Sequence, residues 1–492
     1  MTSELERHAA ACIFASFPGH EPPKWVLPWL DRGLGGIVLF ADNIGDPEQL
    51  AGLTAALRAQ RPDLIVAIDE EGGDVTRLEA ATGSSYPGNL ALGVVDDTSL
   101  TARVAEAIAH DLASVGVTMN FAPVADVNTN PRNPVIGVRS FGSDPALVAR
   151  HVAAYVNGTQ QAGVAACAKH FPGHGDTHSD SHLELPTVDA DREALDAAAL
   201  VPFRAAIEAG VRAVMTAHIL VPRIDSSPAT ISRVLMTDLL RNELGFEGLV
   251  VSDALEMRAI ASGVGVEEGA VRALDAGVDA LCLGHEVDDT LVAGIHRVLV
   301  ESVAAGRLGA GRLAKAAQAV AEAVPSAAPY DHVPDDRVGA AAARDAARAV
   351  GNVSLRSPPL IVELVPEPTI AAGLMAHSLG AEIAGRWTEA DVIQLHEPPA
   401  DAAEVVRGAR NRPLVVVLRD ALRHEWQQSA ASELVALRPD AVIVEIGLPG
   451  WMPDGTGAFI ETYGAGRVNL EAAADLLCRF GKTSCGHRPV LG

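Results

Sequence analysis

The chain has 492 residues, more than one hydrophobic core usually serves, so its length predicts two domains. An apolar share of 48% and a charged share of 21% are typical of a globular protein and exclude a disordered or fibrous one. The formal net charge of −25 disfavours nucleic acid and anionic membrane surfaces as partners.

The N-terminal sequence, the absence of a long apolar stretch and the cysteines together predict a cytoplasmic protein. The N-terminal sequence MTSELERHAAACIFASFPGH starts acidic and lacks the basic and long apolar regions of a secretory signal. No later stretch stays apolar and uncharged for the ~18 residues that a membrane-spanning helix needs. Because the cysteines are odd in number and lack metal-ligand spacing, we expect buried thiols at Cys12, Cys167, Cys282, Cys478 and Cys485.

Eight short apolar runs recur through the first 285 positions, separated by Ala- and Leu-rich segments with helical periodicity. Eight strands, each followed by room for a helix, fit a TIM-type (β/α)8 barrel over residues 1–330 better than an open sheet. The runs are CIFASF from Cys12, GIVLF from Gly36, LIVAID from Leu64, TMNFAPV from Thr118, ACAKH from Ala166, AVMTAHI from Ala213, LVVSDA from Leu249 and DALCLG from Asp279.

Polar side chains gather where these runs end. In such barrels the chemistry lies at the carboxyl ends of the strands, and scattered core polar residues would not favour one end of so many strands. The sequence therefore predicts a site that includes Asp69, Lys169, His170, His218 and Asp253.

A second domain is predicted after a linker and helix at residues 331–350. The stretch VPSAAPYDHVPDDR, from Val324, stops any helix with its prolines. Over residues 351–492 the runs LIVELV, DVIQLH, PLVVVLR and AVIVEIG alternate with helical segments, which indicates a smaller, doubly wound parallel α/β sandwich domain. The Gly-rich stretch GLPGWMPDGTGAF, from Gly447, is predicted to form either a surface turn or a loop toward the barrel mouth.

Residues 169–186 read KHFPGHGDTHSDSHLELP and carry four histidines at a spacing of four. On a helix these would align and suggest a metal site. Because Pro172, Gly173 and Gly175 interrupt any helix, we expect a loop and no metal or organic cofactor.

In this loop a carboxylate twice precedes a histidine by two residues. A carboxylate can hold the imidazole N–H and raise its basicity, which suits general acid/base catalysis. The spacing leaves two pairs open, Asp176 with His178 and Asp180 with His182, and it also allows plain surface histidines.

The segment resembles the loop of the NagZ-type β-N-acetylglucosaminidases of glycoside hydrolase family 3, whose signature runs KHFPGHG, a short spacer and DSH. Further stretches resemble that family in the same order over roughly the first 300 residues. They are IDEEGGDVTRL at Ile68, NFAPVADVNTNPRNPVIGVRSFG at Asn120, VMTAHI at Val214 and GLVVSDALEM at Gly248.

The resemblance implies roles for individual residues. His182 becomes the acid/base with Asp180 as its partner, and Asp253 becomes the nucleophile, although a helix N-cap is the structural alternative for Asp253. It assigns the binding of sugar hydroxyls to Asp69, Arg139, Lys169 and His170. An ion pair between Lys169 and Asp69 is compatible with this, and His218 is either a site wall or a satisfied core histidine.

The implied activity is that of a retaining exo-β-N-acetylglucosaminidase, which is a β-N-acetylhexosaminidase. We expect its substrate to be a small glycoside or a short amino-sugar oligosaccharide. We also expect the enzyme to be a monomer that takes part in cell-wall recycling. Asp74 stands where many relatives have arginine, and facing the pocket it would disfavour acidic aglycones. The alternatives are a phosphorylase, because a neutral imidazole does not repel phosphate, a family 3 glycosidase for another β-sugar, a sugar-binding protein without catalysis, and a metal hydrolase.

Overall fold

The structure is a computed structural model that describes residues 3–181, 184–285, 287–324, 337–373 and 377–478. The chain forms two compact units. The first comprises Met1–Glu71, Asp96–Ile136 and Ser140–Asp336, and the second comprises Gly72–Val95, Gly137–Arg139 and Arg337–Gly492.

Eight parallel strands form the sheet of the first unit, and each coincides with one of the eight predicted runs. They are β1 (Ile13–Ala15), β2 (Gly36–Leu39), β3 (Ile65–Ile68), β4 (Met119–Asn120), β5 (Ala165–Phe171), β6 (Ala213–Thr216), β7 (Leu249–Val251) and β8 (Leu281–Cys282). Each strand pairs with its neighbour in sequence, β8 pairs with β1, and a bridge from Val251 to Ala280 links β7 to the start of β8. The predicted barrel is therefore confirmed.

Helices follow the strands, as the sequence predicts. The described residues contain α1 (Glu4–Ala11), α2 (Val26–Arg32), α3 (Pro47–Gln60), α4 (Asn89–Val95), α5 (Thr98–Ser114), α6 (Pro145–Gln161), α7 (Arg192–Ala197), α8 (Leu200–Glu208), α9 (Arg258–Ala261), α10 (Val266–Ala276), α11 (Asp289–Ala304), α12 (Ala310–Glu322), α13 (Val338–Ala346), α14 (Leu379–Arg386), α15 (Ala402–Ala409), α16 (Glu425–Leu437) and α17 (Arg467–Leu477). A π-helix spans Val234–Glu243. Aspartate N-caps start several barrel helices by accepting backbone N–H groups of the first turn, among them Asp46, Asp97, Asp144, Asp191 and Asp288.

The barrel interior is filled by alternate residues of the strands. Ile65 and Ala67 of β3, Ala165 and Cys167 of β5, and Leu249 and Val251 of β7 belong to one buried cluster with their counterparts from the other strands. Because side chains alternate along a strand, these residues define the inward-facing positions of their strands.

The second unit contains a six-stranded sheet. Its strands are β9 (Arg348–Gly351), β10 (Leu360–Leu364), β11 (Asp391–Leu395), β12 (Leu414–Leu418), β13 (Val442–Glu445) and β14 (Ala458–Glu461), in the order β11-β10-β12-β13-β14-β9. Apolar clusters cover both faces, so the α/β sandwich is confirmed. The sheet is mixed rather than parallel throughout, because β9 runs antiparallel to β14.

Two of these strands were missed. All four residues of β9 are exposed, so this edge strand carries no apolar signal. β14 begins at Ala458, at the end of the Gly-rich stretch from Gly447, of which residues 447–457 form neither helix nor strand.

Two short segments from the predicted barrel region belong to the second unit. Leu90, Ala91 and Val138 pack with Ala346 and Tyr463 in one apolar cluster. Contacts between residues far apart in sequence thus assign Gly72–Val95 and Gly137–Arg139 to this unit. The boundaries at 330 and 350 stay a prediction, since residues 325–336 lie outside the described range.

The cysteines at 12, 167, 282 and 478 are buried free thiols, as expected, whereas Cys485 lies outside the described residues. None of the described helices is both long enough and apolar enough to cross a membrane.

Candidate active site

Three of the predicted site residues occupy equivalent positions at the carboxyl ends of their barrel strands. Asp69, Lys169 and Asp253 each stand two residues beyond an inward-facing strand residue, namely Ala67, Cys167 and Val251. Since inward and outward positions alternate, each of the three continues the inward-facing series of its strand. Burial raises the pKa of the inward-facing Cys167 thiol, the charges of Asp69 and Asp253 raise it further and that of Lys169 opposes the rise, so all three charged groups lie near this thiol.

Lys169 is a buried cation held by two carboxylates. Its Nζ lies 2.6 Å from Oδ1 of Asp69 and 2.7 Å from Oε1 of Glu71, and only 2% of its side chain is exposed. The ion pair that the sequence suggested is present and extends to Glu71, which was not predicted. Asp69, with 22% of its side chain exposed, is the more accessible of the two acids.

Asp253 lies at the end of β7 with a partly exposed side chain. Its Oδ1 accepts the N–H of Ala254 at 2.8 Å. The helix that follows, α9, has Met257 at its N-cap position, so the N-cap alternative for Asp253 is wrong. The pKa of the Cys282 thiol is raised by burial and further by the charges of Asp253 and Asp69, which shows that both carboxylates lie near this thiol.

Glu256 anchors the turn after Asp253. Both oxygens of its carboxylate accept the N–H of Gly284, at 3.1 and 3.0 Å, and burial raises its pKa. Leu255 N–H donates to the carbonyl of Cys282 at 3.1 Å. These bonds join the turn that carries Asp253 to the end of β8.

His170 is oriented by Asp126, a residue that the sequence analysis did not single out. Nδ1 of His170 lies 2.7 Å from Oδ2 of Asp126, and both side chains are buried. The other oxygen, Oδ1, accepts the backbone N–H of His174 at 2.6 Å. A buried carboxylate that fixes one imidazole nitrogen leaves the other, Nε2, as the available polar atom of the ring.

The segment after β5 contains no helix in its described part, as predicted, and its histidines have separate partners. His174 is buried between Thr177 and Ser181, whereas the exposed His178 faces the side-chain amide of Asn130 at 3.0 Å. A Cβ on Gly175 would collide with the carbonyl of Val127, so glycine lets the segment pack against that backbone. Within the described residues, no three His, Cys, Asp or Glu side chains are arranged to hold a metal ion.

The two candidate acid/base pairs differ in what the structure describes. Oδ1 of Asp176 accepts a hydrogen bond from the hydroxyl of Thr129 at 2.9 Å, while His178 faces Asn130. Asp180 is partly buried, and its carbonyl accepts the N–H of Glu184 at 3.0 Å. His182 lies outside the described residues, so its pairing with Asp180 stays a prediction.

His218 is buried with both ring nitrogens engaged by protein groups. Nε2 lies 2.9 Å from the carbonyl of Ala254 and therefore donates to it, and Nδ1 lies 2.7 Å from the hydroxyl of Thr230. This geometry favours the core alternative, in which His218 supports the residue next to Asp253.

Arg139 and Asp74 belong to the second unit. The carbonyl of Arg139 accepts the side-chain amide of Asn89 at 2.7 Å, and its binding role stays a prediction. The carboxylate of Asp74 accepts Nη2 of Arg419 at 2.8 Å and the N–H of Ala465 at 2.7 Å, with 6% of its side chain exposed. Its charge is thus balanced within its own unit.

The similarity of the sequence to a known protein family decides to which family the chain belongs. The family described as "Glycosyl hydrolase family 3 N terminal domain" matches residues 20–323. The chain belongs to glycosyl hydrolase family 3. The resemblance drawn from the loop and strand motifs is confirmed.

Relatives of this family 3 chain carry consistent names. Beta-hexosaminidase A of Pseudoalteromonas piscicida is 42% identical over 269 residues, a match that covers 50% of this chain and 45% of that protein. The chain thus spans less than half the length of that relative. A beta-hexosaminidase of Alkalilimnicola ehrlichii is 43% identical over 260 residues, covering 51% of this chain and 73% of that protein.

A solved family 3 structure extends the similarity to both units. The beta-N-acetylglucosaminidase from Paenibacillus sp. str. FPU-7 has a TM-score of 0.85 at 32% identity, and the match covers 97% of each chain. The fold class, a parallel barrel with a second α/β domain, is therefore shared along nearly the whole chain.

Proposed function

We propose that the chain is a retaining exo-β-N-acetylglucosaminidase that releases terminal N-acetylglucosamine from small amino-sugar glycosides. The observation that carries the proposal is the convergence of Asp69, Lys169 and Asp253 on inward positions at one end of the barrel. A carboxylate beside a rigid, charged hydrogen-bonding pair is what a glycosidase needs to hold a sugar and attack it. The names of the family 3 relatives favour N-acetylglucosamine as that sugar.

In the proposed mechanism a carboxylate oxygen of Asp253 attacks the anomeric carbon as the bond to the leaving oxygen breaks. His182, assisted by Asp180, gives its proton to that oxygen, and a covalent glycosyl-enzyme forms. The neutral imidazole then takes a proton from water, whose oxygen attacks the anomeric carbon and releases Asp253. Two inversions at one carbon give a sugar of retained configuration.

Binding of the sugar falls to the groups around the nucleophile. We assign hydroxyl recognition to Asp69, Lys169 and His170, and we keep Arg139 as a further binding residue. Lys169 donates and Asp69 accepts, so together they can bind adjacent hydroxyls with charge-assisted hydrogen bonds. His218 supports the carbonyl of Ala254 and does not contact the sugar in this assignment.

We further propose a cytoplasmic monomer that acts on short amino-sugar fragments, including those of the cell wall. Because Arg419 balances the charge of Asp74, this acid no longer argues against acidic aglycones. The two opposite charges lie 2.8 Å apart, so their fields largely cancel at greater distances.

The test is hydrolysis of 4-nitrophenyl β-N-acetylglucosaminide by the wild type, by Asp253→Ala and by His182→Ala, with and without added phosphate. Loss of turnover in Asp253→Ala and a decrease of about a hundred- to ten-thousand-fold in His182→Ala are expected. Full activity in either variant contradicts its assigned role. Formation of sugar 1-phosphate makes the enzyme a phosphorylase, and a preference for 4-nitrophenyl β-glucoside moves the specificity to another β-sugar.

A further inference from the structure

His174 is buried in the loop that carries the proposed acid/base pair, and its ring bridges two hydroxyl side chains. Its Nδ1 lies 2.8 Å from Oγ1 of Thr177, and its Nε2 lies 3.2 Å from Oγ of Ser181. All three side chains are essentially inaccessible to solvent, with at most 2% exposed. The mechanism above does not use this histidine.

The hydrogen bonds assign the tautomer of the ring. The hydroxyl of Thr177 donates its proton to the carbonyl of His174 at 2.9 Å, so Oγ1 accepts from Nδ1–H of the imidazole. Nε2 of the neutral ring is then an acceptor, and it takes the proton of the Ser181 hydroxyl. Neutral His174 therefore ties the start of the loop to Ser181, the residue that directly follows Asp180.

Neighbouring residues fix the start of the same loop from outside. Asn133 donates its side-chain amide to the carbonyl of His174 at 2.9 Å, and Asn130 donates to the carbonyl of Thr177 at 2.9 Å. Asp126 accepts the N–H of His174 at 2.6 Å. The backbone of His174 is thus held rigidly, and its ring transmits that position to Ser181.

We propose that His174 is a positioning residue for the acid/base step, holding Ser181 and through it the adjacent Asp180 in place. The proposal rests on the proposed function, because it concerns the same loop. It predicts that His174 acts on proton transfer to the leaving group and not on attack by Asp253.

The charge state of His174 is part of this role. Burial lowers its pKa to about 4, against the opposing influence of Asp126 and Asp253 and with a further lowering by His170. Above about pH 5 the ring is neutral and Nε2 accepts from Ser181. As pH falls through about 4, a proton on Nε2 removes the acceptor, so the bridge is lost on the acid side.

The first experiment varies the leaving group. Phenol needs a proton to depart, whereas 2,4-dinitrophenolate departs without one, so only the phenyl glycoside reports on acid assistance. In His174→Phe we expect kcat/KM for phenyl β-N-acetylglucosaminide, which reports the departure of the leaving group, to fall about ten- to a hundredfold, and kcat/KM for the dinitrophenyl glycoside to change less than about threefold. His174→Gln, whose amide can still accept from Ser181, is expected to restore part of the loss.

A matched pair of serines supplies the control and a second variant. Ser181→Ala removes one partner of the ring and is expected to reproduce the direction of the His174→Phe effect. Ser179→Ala changes a serine of the same loop that has no hydrogen bond to His174 among those described, and it is expected to leave the ratio of the two substrates unchanged. Equal losses on both substrates in His174→Phe, or equal effects of the two serine variants, overturn the proposal.

The second experiment needs no activity. Hydrogen exchange at pH 7 is compared between wild type and His174→Phe, and we expect at least about tenfold faster exchange over residues 177–181 with β3 and β7 unchanged. If the wild type hydrolyses neither glycoside, the proposed function fails while exchange still tests the bridge. Unchanged exchange in the loop overturns the positioning role whatever the activity.

Discussion

Replacing Lys169 by methionine removes the cation that balances Asp69 and Glu71. At an effective dielectric constant of about 20, a contact at 2.6 or 2.7 Å corresponds to about 6 kcal/mol of Coulomb attraction for each pair. Desolvation of the lysine and repulsion between the acids offset part of this. Removal of one partner from a buried ion pair costs about 3–5 kcal/mol, and we expect Lys169→Met to lose that much stability.

The assay is thermal unfolding followed between pH 5 and pH 8. We expect the Tm of Lys169→Met to lie about 5–10 °C below that of the wild type at pH 8. The deficit should shrink at pH 5, because the buried carboxyl of Glu71, 3% exposed, can take up a proton once its cation is gone. Activity should be lost at every pH, since the proposed sugar-binding donor is absent.

Two variants make the result interpretable. Lys315→Met changes an exposed lysine of α12 and should alter stability by less than about 0.5 kcal/mol. The double variant Lys169→Met/Glu71→Gln removes one of the two uncompensated charges and should recover part of the loss at pH 8. A Tm of Lys169→Met within about 2 °C of the wild type at pH 8, with no dependence on pH, refutes the electrostatic reasoning.

Three further predictions concern stability and specificity. Asp74→Ala leaves Arg419 buried without this partner, and we expect chemical denaturation to show a loss of about 3–5 kcal/mol in stability. The ratio of kcat/KM for neutral and acidic aglycones should stay constant. A changed ratio contradicts a purely structural role for Asp74. The raised pKa of Glu256 means that the stability it contributes is present at low pH and is lost as pH rises through that pKa. Glu256→Gln should therefore flatten the decrease of Tm as pH rises above the ordinary pKa of a glutamate. His218→Phe leaves the carbonyl of Ala254 without its hydrogen-bond donor, so we expect stability to fall by about 1–3 kcal/mol and kcat to decrease. An unchanged kcat would show that the turn before Met257 does not need this hydrogen bond.

The barrel could be predicted from the sequence because its strands are buried on both faces. Such strands read as continuous apolar runs, and each of the eight runs became a strand. The same physics explains why β9 was missed, since its four residues are exposed and its place depends on pairing with β14, more than a hundred positions later.

Some residues of the candidate active site could also be predicted from the pattern of the strands. Lys169 lies within β5, and Asp69 and Asp253 follow β3 and β7. All three share the parity of the inward-facing residues, a signal that strand alternation alone could have supplied. Glu71 and Asp126 were missed because their roles come from partners about 98 and 44 positions away, Lys169 and His170. Local spacing carries no information on such pairs, and the same holds for Asp74 with Arg419.

The apolar cluster of Leu90, Ala91, Val138, Ala346 and Tyr463 sets an order of events during synthesis. Tyr463 follows Leu90 by about 370 positions, so at 5–20 residues per second the ribosome needs about 20–75 s to deliver it. During that interval Leu90, Ala91 and Val138 lack their final cover. The three apolar side chains in the first third of the chain therefore reach their final packing only after nearly the whole chain has been made.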